Sequence, residues 1–160
     1  MLIILDRAWA VEGIMPLTTY KDIKNLSYID VGNKYYLVEH IQDYIRKYRE
    51  NSGAYGIYSH GKLVGAISVT DHTTMSIFDK PLGVDYINPV ECSIIQSIVV
   101  DRKYTHKGYG TKLILYIIDK LIKQGKKWLY ADMIDERLLP FYEKIGFYRL
   151  YNNIVVKHIA

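Results

Sequence analysis

The sequence predicts a mixed α/β domain, and three observations carry that prediction. Segments with helical periodicity alternate with segments patterned as strands, an order that suits neither an all-helical nor an all-β chain. An apolar, strand-like run at Glu91–Val100 leads into a helix with two apolar tracks and then into a second strand at Lys127–Met133. The chain has 160 residues, 49% hydrophobic and 24% charged, enough for one domain with a substantial core. Residues 1–160 are therefore expected to form a single domain.

The elements follow in order. A short helix is expected between Thr18 and Ile29. A longer one spans about Leu37–Arg49, where Val38, Ile41, Ile45 and Tyr48 fall on one stripe and Asn51-Ser52-Gly53 ends it. Ala54–Tyr58 and Leu63–Thr70 flank Ser59-His60-Gly61-Lys62, a hairpin pattern. Asp71–Pro89, with Pro81, Gly83 and few patterned apolar residues, reads as a long loop. Loops of that length in compact domains tend to be functional. Gly108–Gln124 reads as a helix closed by Gly125, with Leu113, Ile117 and Leu121 on one track and Ile114, Ile118 and Ile122 on a second. After the strand Lys127–Met133 come a short helix, Leu138–Ile145, ended by Gly146, and two strands, Phe147–Tyr151 and Ile154–His158.

Composition narrows the function classes. Residues 1–100 hold 9 Lys+Arg against 11 Asp+Glu, whereas residues 101–160 hold 12 against 6, so the basic surplus lies in the last third. A basic region suits nucleic acid or any phosphorylated ligand, and scattered lysines alone read as a solvated surface. Met1–Leu5 meets Asp6 and Arg7 at once, which is no signal-peptide pattern, and the apolar run Leu113–Ile118 is far short of a bilayer span. One cysteine, Cys92, forms no internal disulfide and fits a reducing compartment, so a cytoplasmic protein is expected. The five histidines show no metal spacing, and no metal is expected. Gly56–Lys62 has the glycine and lysine spacing of a phosphate loop, but Leu63 stands at the magnesium ligand and no helix follows, so the hairpin reading stands.

The informative stretch is Ser97–Thr111: a buried strand, a basic turn, and Gly108-Tyr109-Gly110 opening a strongly patterned helix. The N–H groups at a helix start form an anion site. Glycine there lets a phosphate approach the backbone, and His106 and Lys107 add positive charge. Alone, the two glycines also suit a plain tight turn. A second constellation follows, Tyr142-Glu143-Lys144-Ile145-Gly146-Phe147. Together the two segments resemble the GNAT superfamily of N-acetyltransferases. Ile98–Thr111 resembles its pyrophosphate motif Arg/Gln-x-x-Gly-x-Gly/Ala, and Tyr142–Phe147 its Tyr-Glu-Lys-x-Gly-Phe ending. The likeness covers about residues 91–150, with one helix and one strand between the motifs.

The resemblance implies a mostly antiparallel sheet of about six to seven strands, with helices on both faces. The sheet is splayed between the family's fourth and fifth strands, and the fourth is bulged near Ile98–Val99. It implies acetyl-CoA as co-substrate and transfer of the acetyl group to a primary amine by direct attack in a ternary complex. Backbone groups of Ile98, Val99 and Val100 would serve the pantetheine arm and the oxyanion, and Thr105, His106, Lys107, Gly108, Tyr109, Gly110 and Thr111 the pyrophosphate. Tyr142 would protonate the leaving thiolate, unless it is a core aromatic. Glu91 is the candidate base, or else an exposed strand-end glutamate. Two positions depart from the pattern. Thr105 replaces the usual Arg or Gln, and Asp135 stands where many members have Asn beside the cofactor; a carboxylate there suits a helix cap. Acceptor choice in this family lies in segments corresponding to Thr18–Tyr36 and Asp71–Pro89. The acceptor is expected to be an amine on a small molecule or a protein, with no membrane or nucleic-acid partner; dimers are common in the family. The competing readings are a non-catalytic module that binds a CoA compound and a basic nucleic-acid-binding module. Neither a zinc finger nor an RNA-recognition signature supports the latter.

Overall fold

The computed structural model describes residues 12–17, 28–29, 53–71, 84–133 and 135–160. The expected helix over 37–49 and most of the segments 18–29 and 71–89 lie outside these. In chain order the elements are β1 (Glu12–Pro16), β2 (Tyr28–Ile29), β3 (Ala54–Ser59), β4 (Lys62–Asp71), β5 (Cys92–Asp101), α1 (Tyr109–Lys123), β6 (Trp128–Asp132), α2 (Leu139–Ile145), β7 (Tyr148–Tyr151) and β8 (Ile154–His158). Short 3₁₀ turns sit at Pro89–Glu91, Arg102–Tyr104 and Glu136–Leu138. The class is mixed α/β as expected, with eight strands among the described residues. The strand pairings are antiparallel for β1–β3, β2–β5, β3–β4, β6–β8 and β7–β8, and parallel for β5–β6.

Two compact units emerge. The first comprises the described residues within 1–68 and 97–114, the second those within 69–96 and 115–160. In the first, β3 pairs with β1 and β4, and β2 pairs with the end of β5. Leu17, Ala54, Tyr58, Leu63, Ala66 and Val99 form its core, with Met15 packed against them. Gly65 makes room here. A Cβ on it would stand 3.1 Å from the Val99 carbonyl and 3.4 Å from Leu113 Cδ1, so its bareness lets the first turns of α1 close on the strands.

The second unit carries the order β5-β6-β8-β7. Its core joins Ile87, Cys92, Tyr130 and Val156, flanked by Val84, Ile94, Trp128, Leu150 and Ile154. The parallel ladder matches Cys92–Ile95 with Trp128–Ala131 and ends there, while β5 continues to Asp101.

Two expectations need correction. Tyr28 and Ile29, placed at the end of a helix, are a strand paired with Asp101 and Val100; a partner so distant in sequence leaves no local signature. Ile122, placed on an apolar track, is 43% exposed, whereas Leu113, Ile114, Ile117, Ile118 and Leu121 are buried as expected. The strand β1 was not anticipated because Gly13 and Pro16 break its pattern. Proline is tolerated there since β1 ends the strand order.

Burial pushes the Cys92 thiol up from its ordinary 9.0 to about 12, with Lys126 opposing in part. At pH 8 the thiolate fraction is then about 10⁻⁴, and alkylation needs the thiolate. Native protein is expected to resist iodoacetamide at pH 8 and to react only on unfolding; labelling followed by mass spectrometry checks this. The folded chain keeps this proton where the unfolded chain loses it. The contribution to stability is thus full below pH 9 and is lost as pH rises toward about 12.

Candidate active site

The candidate residues fall in both units. In the first, Ile98, Val99 and Val100 are buried on β5. Val100 stands opposite Ile29 of β2, so a ligand strand pairing at Val100 must displace that two-residue bridge. Downstream, the Asp101 carboxylate accepts a hydrogen bond from Lys103 N–H at 2.9 Å and caps the turn Arg102–Tyr104. The Thr105 hydroxyl donates to the Arg102 carbonyl at 3.1 Å. Its proton is thus engaged in closing the turn, and it would have to leave that carbonyl to donate to a phosphate.

The chain then enters left-handed backbone twice, at His106 (φ 63°) and Gly108 (φ 83°). Among the described residues, its chain neighbours aside, nothing lies within 4 Å of a Cβ built on Gly108, so it is conformation that requires the glycine. Lys112 N–H, in the first turn of α1, donates to the Gly108 carbonyl at 3.0 Å. The N–H groups of Tyr109, Gly110 and Thr111 precede it and have no intrahelical acceptor. His106, Lys107 and Gly108 are exposed, whereas Tyr109 is buried and stacks edge-on against Tyr104, centroids 6.1 Å apart. These features make an exposed, lysine-bearing turn, anchored by Tyr109, that leads into helix N–H groups without intrahelical acceptors, which fits a diphosphate.

In the second unit, Tyr142 on α2 is 3% exposed. The sequence Tyr-Glu-Lys-x-Gly-Phe explains its fixity. Gly146 adopts φ 101° at the helix end, which turns the chain so that Phe147 N–H returns to the Tyr142 carbonyl at 3.1 Å. The Phe147 ring then packs on the Tyr142 ring at 5.3 Å, and Phe141 at 5.1 Å. Desolvation raises the Tyr142 phenol above its ordinary range, so it stays protonated at neutral pH.

Asp135 is committed to structure. Its carboxylate accepts from Arg137 N–H at 2.8 Å and from the Arg137 guanidinium at 3.0 and 2.6 Å. The hydrogen bonds from Arg137 hold its pKa down. This is the cap that a carboxylate favours, placed on the short turn before α2. Glu91 closes the turn Pro89–Glu91 rather than opening β5, and its carboxylate lies 3.3 Å from Lys127 Nζ.

Sequence reasoning passed over Gln96, whose buried Nε2 has no hydrogen-bond partner. The available signal was a lone amide inside the apolar run Ile94–Val100. Among the described residues no helix is long and apolar enough to cross a membrane, and no group of three or more metal-binding side chains is gathered.

Comparisons with known proteins bear on this arrangement. The model of the Acetyltransferase (GNAT) family matches residues 18–147. No curated protein matches in sequence. Among solved structures, the ribosomal-protein-S18-alanine N-acetyltransferase from Escherichia coli is similar with a TM-score of 0.61 at 14% identity, over 94% of this chain and 95% of that one. A variant of the AtaT toxin bound to the C-terminus of the antitoxin AtaR and acetyl-CoA gives 0.64 at 17% identity, over 92% and 93%. N-acetylglutamate synthase from Neisseria gonorrhoeae, complexed with coenzyme A and N-acetyl-glutamate, gives 0.62 at 17% identity, over 94% of this chain but 36% of that one. At such identities the likeness is one of fold.

Proposed function

Since the chain belongs to the GNAT acetyltransferase family, and is thus an acetyl-CoA-dependent N-acetyltransferase, we propose that it acetylates a primary amine by direct attack in a ternary complex. The turn at Gly108, left-handed and leading into the first N–H groups of α1, which have no intrahelical acceptor, is the observation that carries this reading. In it, backbone N–H groups of Thr105–Thr111 hold the pyrophosphate, with Lys107 and His106 adding charge. The Thr105 side chain contributes little because its proton serves Arg102. Ile98 offers its backbone to the pantetheine arm, and Val100 does so once β2 gives way.

The amine lone pair attacks the thioester carbonyl carbon, and the carbonyl oxygen takes up negative charge. A backbone N–H near Ile98–Val100 stabilises that oxyanion, a contribution of roughly 3 kcal/mol where measured by removal of one donor. The carbon–sulfur bond then breaks, Tyr142 donates its hydroxyl proton to the departing thiolate, and the proton that the nitrogen sheds on becoming an amide returns to the Tyr142 phenolate through water. The amine must shed a proton before attack. Glu91 stays a candidate base only through water, since Lys127 already pairs with it; solvent is the simpler proton acceptor.

The acceptor is an amine on a small molecule or a protein. The similar structures named above differ in this respect: one is named for an alanine of a ribosomal protein, another is complexed with N-acetyl-glutamate. The family match spans parts of both units and supports reading residues 1–160 as one domain, with assembly as a dimer open to it. A buried thiol as the one cysteine supports a cytoplasmic location.

Acetyl-CoA is expected to raise the thermal midpoint, since a ligand selective for the folded state adds about 2.7 kcal/mol at 100 times its dissociation constant. A melt unchanged by millimolar acetyl-CoA would remove the basis of the proposal.

A further inference from the structure

Charge around the Gly108 turn is unbalanced. Among the described residues of the first unit, Lys62, Arg102, Lys103, Lys107 and Lys112 stand against two acids, Glu12 on β1 and Asp101, which is buried and caps its own turn. Two of these cations converge on one ring. Lys62 Nζ lies 5.6 Å and Lys107 Nζ 5.7 Å from the Tyr104 centroid. Tyr104 is braced by the buried Tyr109, whose own ring holds Lys112 Nζ at 5.5 Å. Lys107 belongs to the turn, but Lys62 arrives from the β3–β4 hairpin, far outside the glycine motif. An aromatic face accommodates an ammonium, yet two ammonium groups at one ring repel each other. An anion bearing two charges relieves that repulsion.

We propose that Lys62, together with Lys107 beside the Tyr104 ring, binds the third phosphate of coenzyme A, the monoester on its ribose. This inference rests on the reading of the Gly108 turn as the pyrophosphate site. The chemistry matches in three ways. A phosphomonoester carries close to two negative charges at neutral pH, against two lysines. It sits at the nucleotide end of the coenzyme, as does the pyrophosphate that the adjoining turn holds. Lysine is a compact charge on a flexible stem, so both ammonium groups can swing from the ring to a phosphate without moving the backbone. Lys62 thereby makes the enzyme prefer coenzyme A over its dephospho form.

The test measures dissociation constants by titration calorimetry for coenzyme A and dephospho-coenzyme A, with the full chain and with Lys62→Met, which keeps the stem and removes the charge. Loss of one charge-assisted contact is expected to weaken coenzyme A by roughly tenfold and to leave dephospho-coenzyme A within about twofold. An equal loss for both ligands overturns the proposal, because Lys62 would then act on the diphosphate or on the turn itself. No loss for either overturns it as well. So does a variant that keeps coenzyme A but releases a single-stranded oligoribonucleotide bound by the parent, which would assign the cations to a polynucleotide. If the parent chain binds neither coenzyme, the pyrophosphate reading fails first and takes this one with it. Binding of dephospho-coenzyme A as tightly as coenzyme A by the parent refutes the monoester seat alone.

Discussion

Gly108→Glu is expected to weaken acetyl-CoA binding by at least about a hundredfold while the protein stays folded. Two effects combine in that substitution, and the structure separates them. Gly108 sits at φ 83°, so any L side chain there costs about 1 kcal/mol or somewhat more in backbone strain. Among the described residues, its chain neighbours aside, no atom lies within 4 Å of the position a Cβ would take, so they add no clash to the strain. Gly108→Ala carries the strain alone and should lower stability by that modest amount. The glutamate adds a negative charge beside N–H groups and Lys107 that otherwise face a diphosphate, and like charges in one site oppose each other strongly. The difference between the Ala and Glu variants in titration calorimetry therefore reports the electrostatic part. Thermal unfolding of both confirms that the fold survives. A Glu variant that binds acetyl-CoA as the parent does would make the turn a structural feature and nothing more.

What could be seen in the sequence divides along the range of the interactions involved. β5, α1, β6, α2, β7 and β8 each announce themselves by local means: an Ile/Val run, apolar residues three and four apart, a left-handed glycine at each helix end. Gly125 and Gly146 do occupy left-handed backbone, at φ 85° and 101°. The motif residues were legible for the same reason, because the return of Phe147 onto Tyr142 spans only five residues. Distant pairings left no such trace. Tyr28–Ile29 becomes a strand only because β5 accepts it, and β1 because β3 does. Within the site, Lys62 looks like an ordinary hairpin lysine until the fold brings it to Tyr104. The pairing of Glu91 with Lys127 comes from parallel strands that only the tertiary structure aligns. Thr105 illustrates a subtler limit. Its identity was plain, but whether its proton faced a ligand or the Arg102 carbonyl depended on turn geometry.

Tyr142→Phe is expected to lower turnover by roughly 10²-fold, the low end for general acid catalysis, while acetyl-CoA affinity holds. The substitution keeps the ring, and the ring is what packs against Phe141 and Phe147, so stability should barely change. The hydroxyl is what the reaction loses. Burial keeps the phenol protonated beyond its ordinary range, which has two consequences. The group is present in its acid form at every pH at which an amine acetyltransferase would be assayed, and it is a weak acid whose usefulness comes from placement rather than from acidity. The deficit of the Phe variant should therefore be the same at pH 7 as at pH 9, without the pH dependence that a titrating acid would produce. It should also shrink with an activated thioester, whose thiol departs readily as the anion and needs no proton. Both comparisons require an acceptor found by screening amines, and pre-steady-state kinetics to establish that acetyl transfer limits the rate. Equal rates for the parent and the Phe variant under those conditions would leave Tyr142 as a core aromatic of α2, and the proton for the thiolate would then come from water.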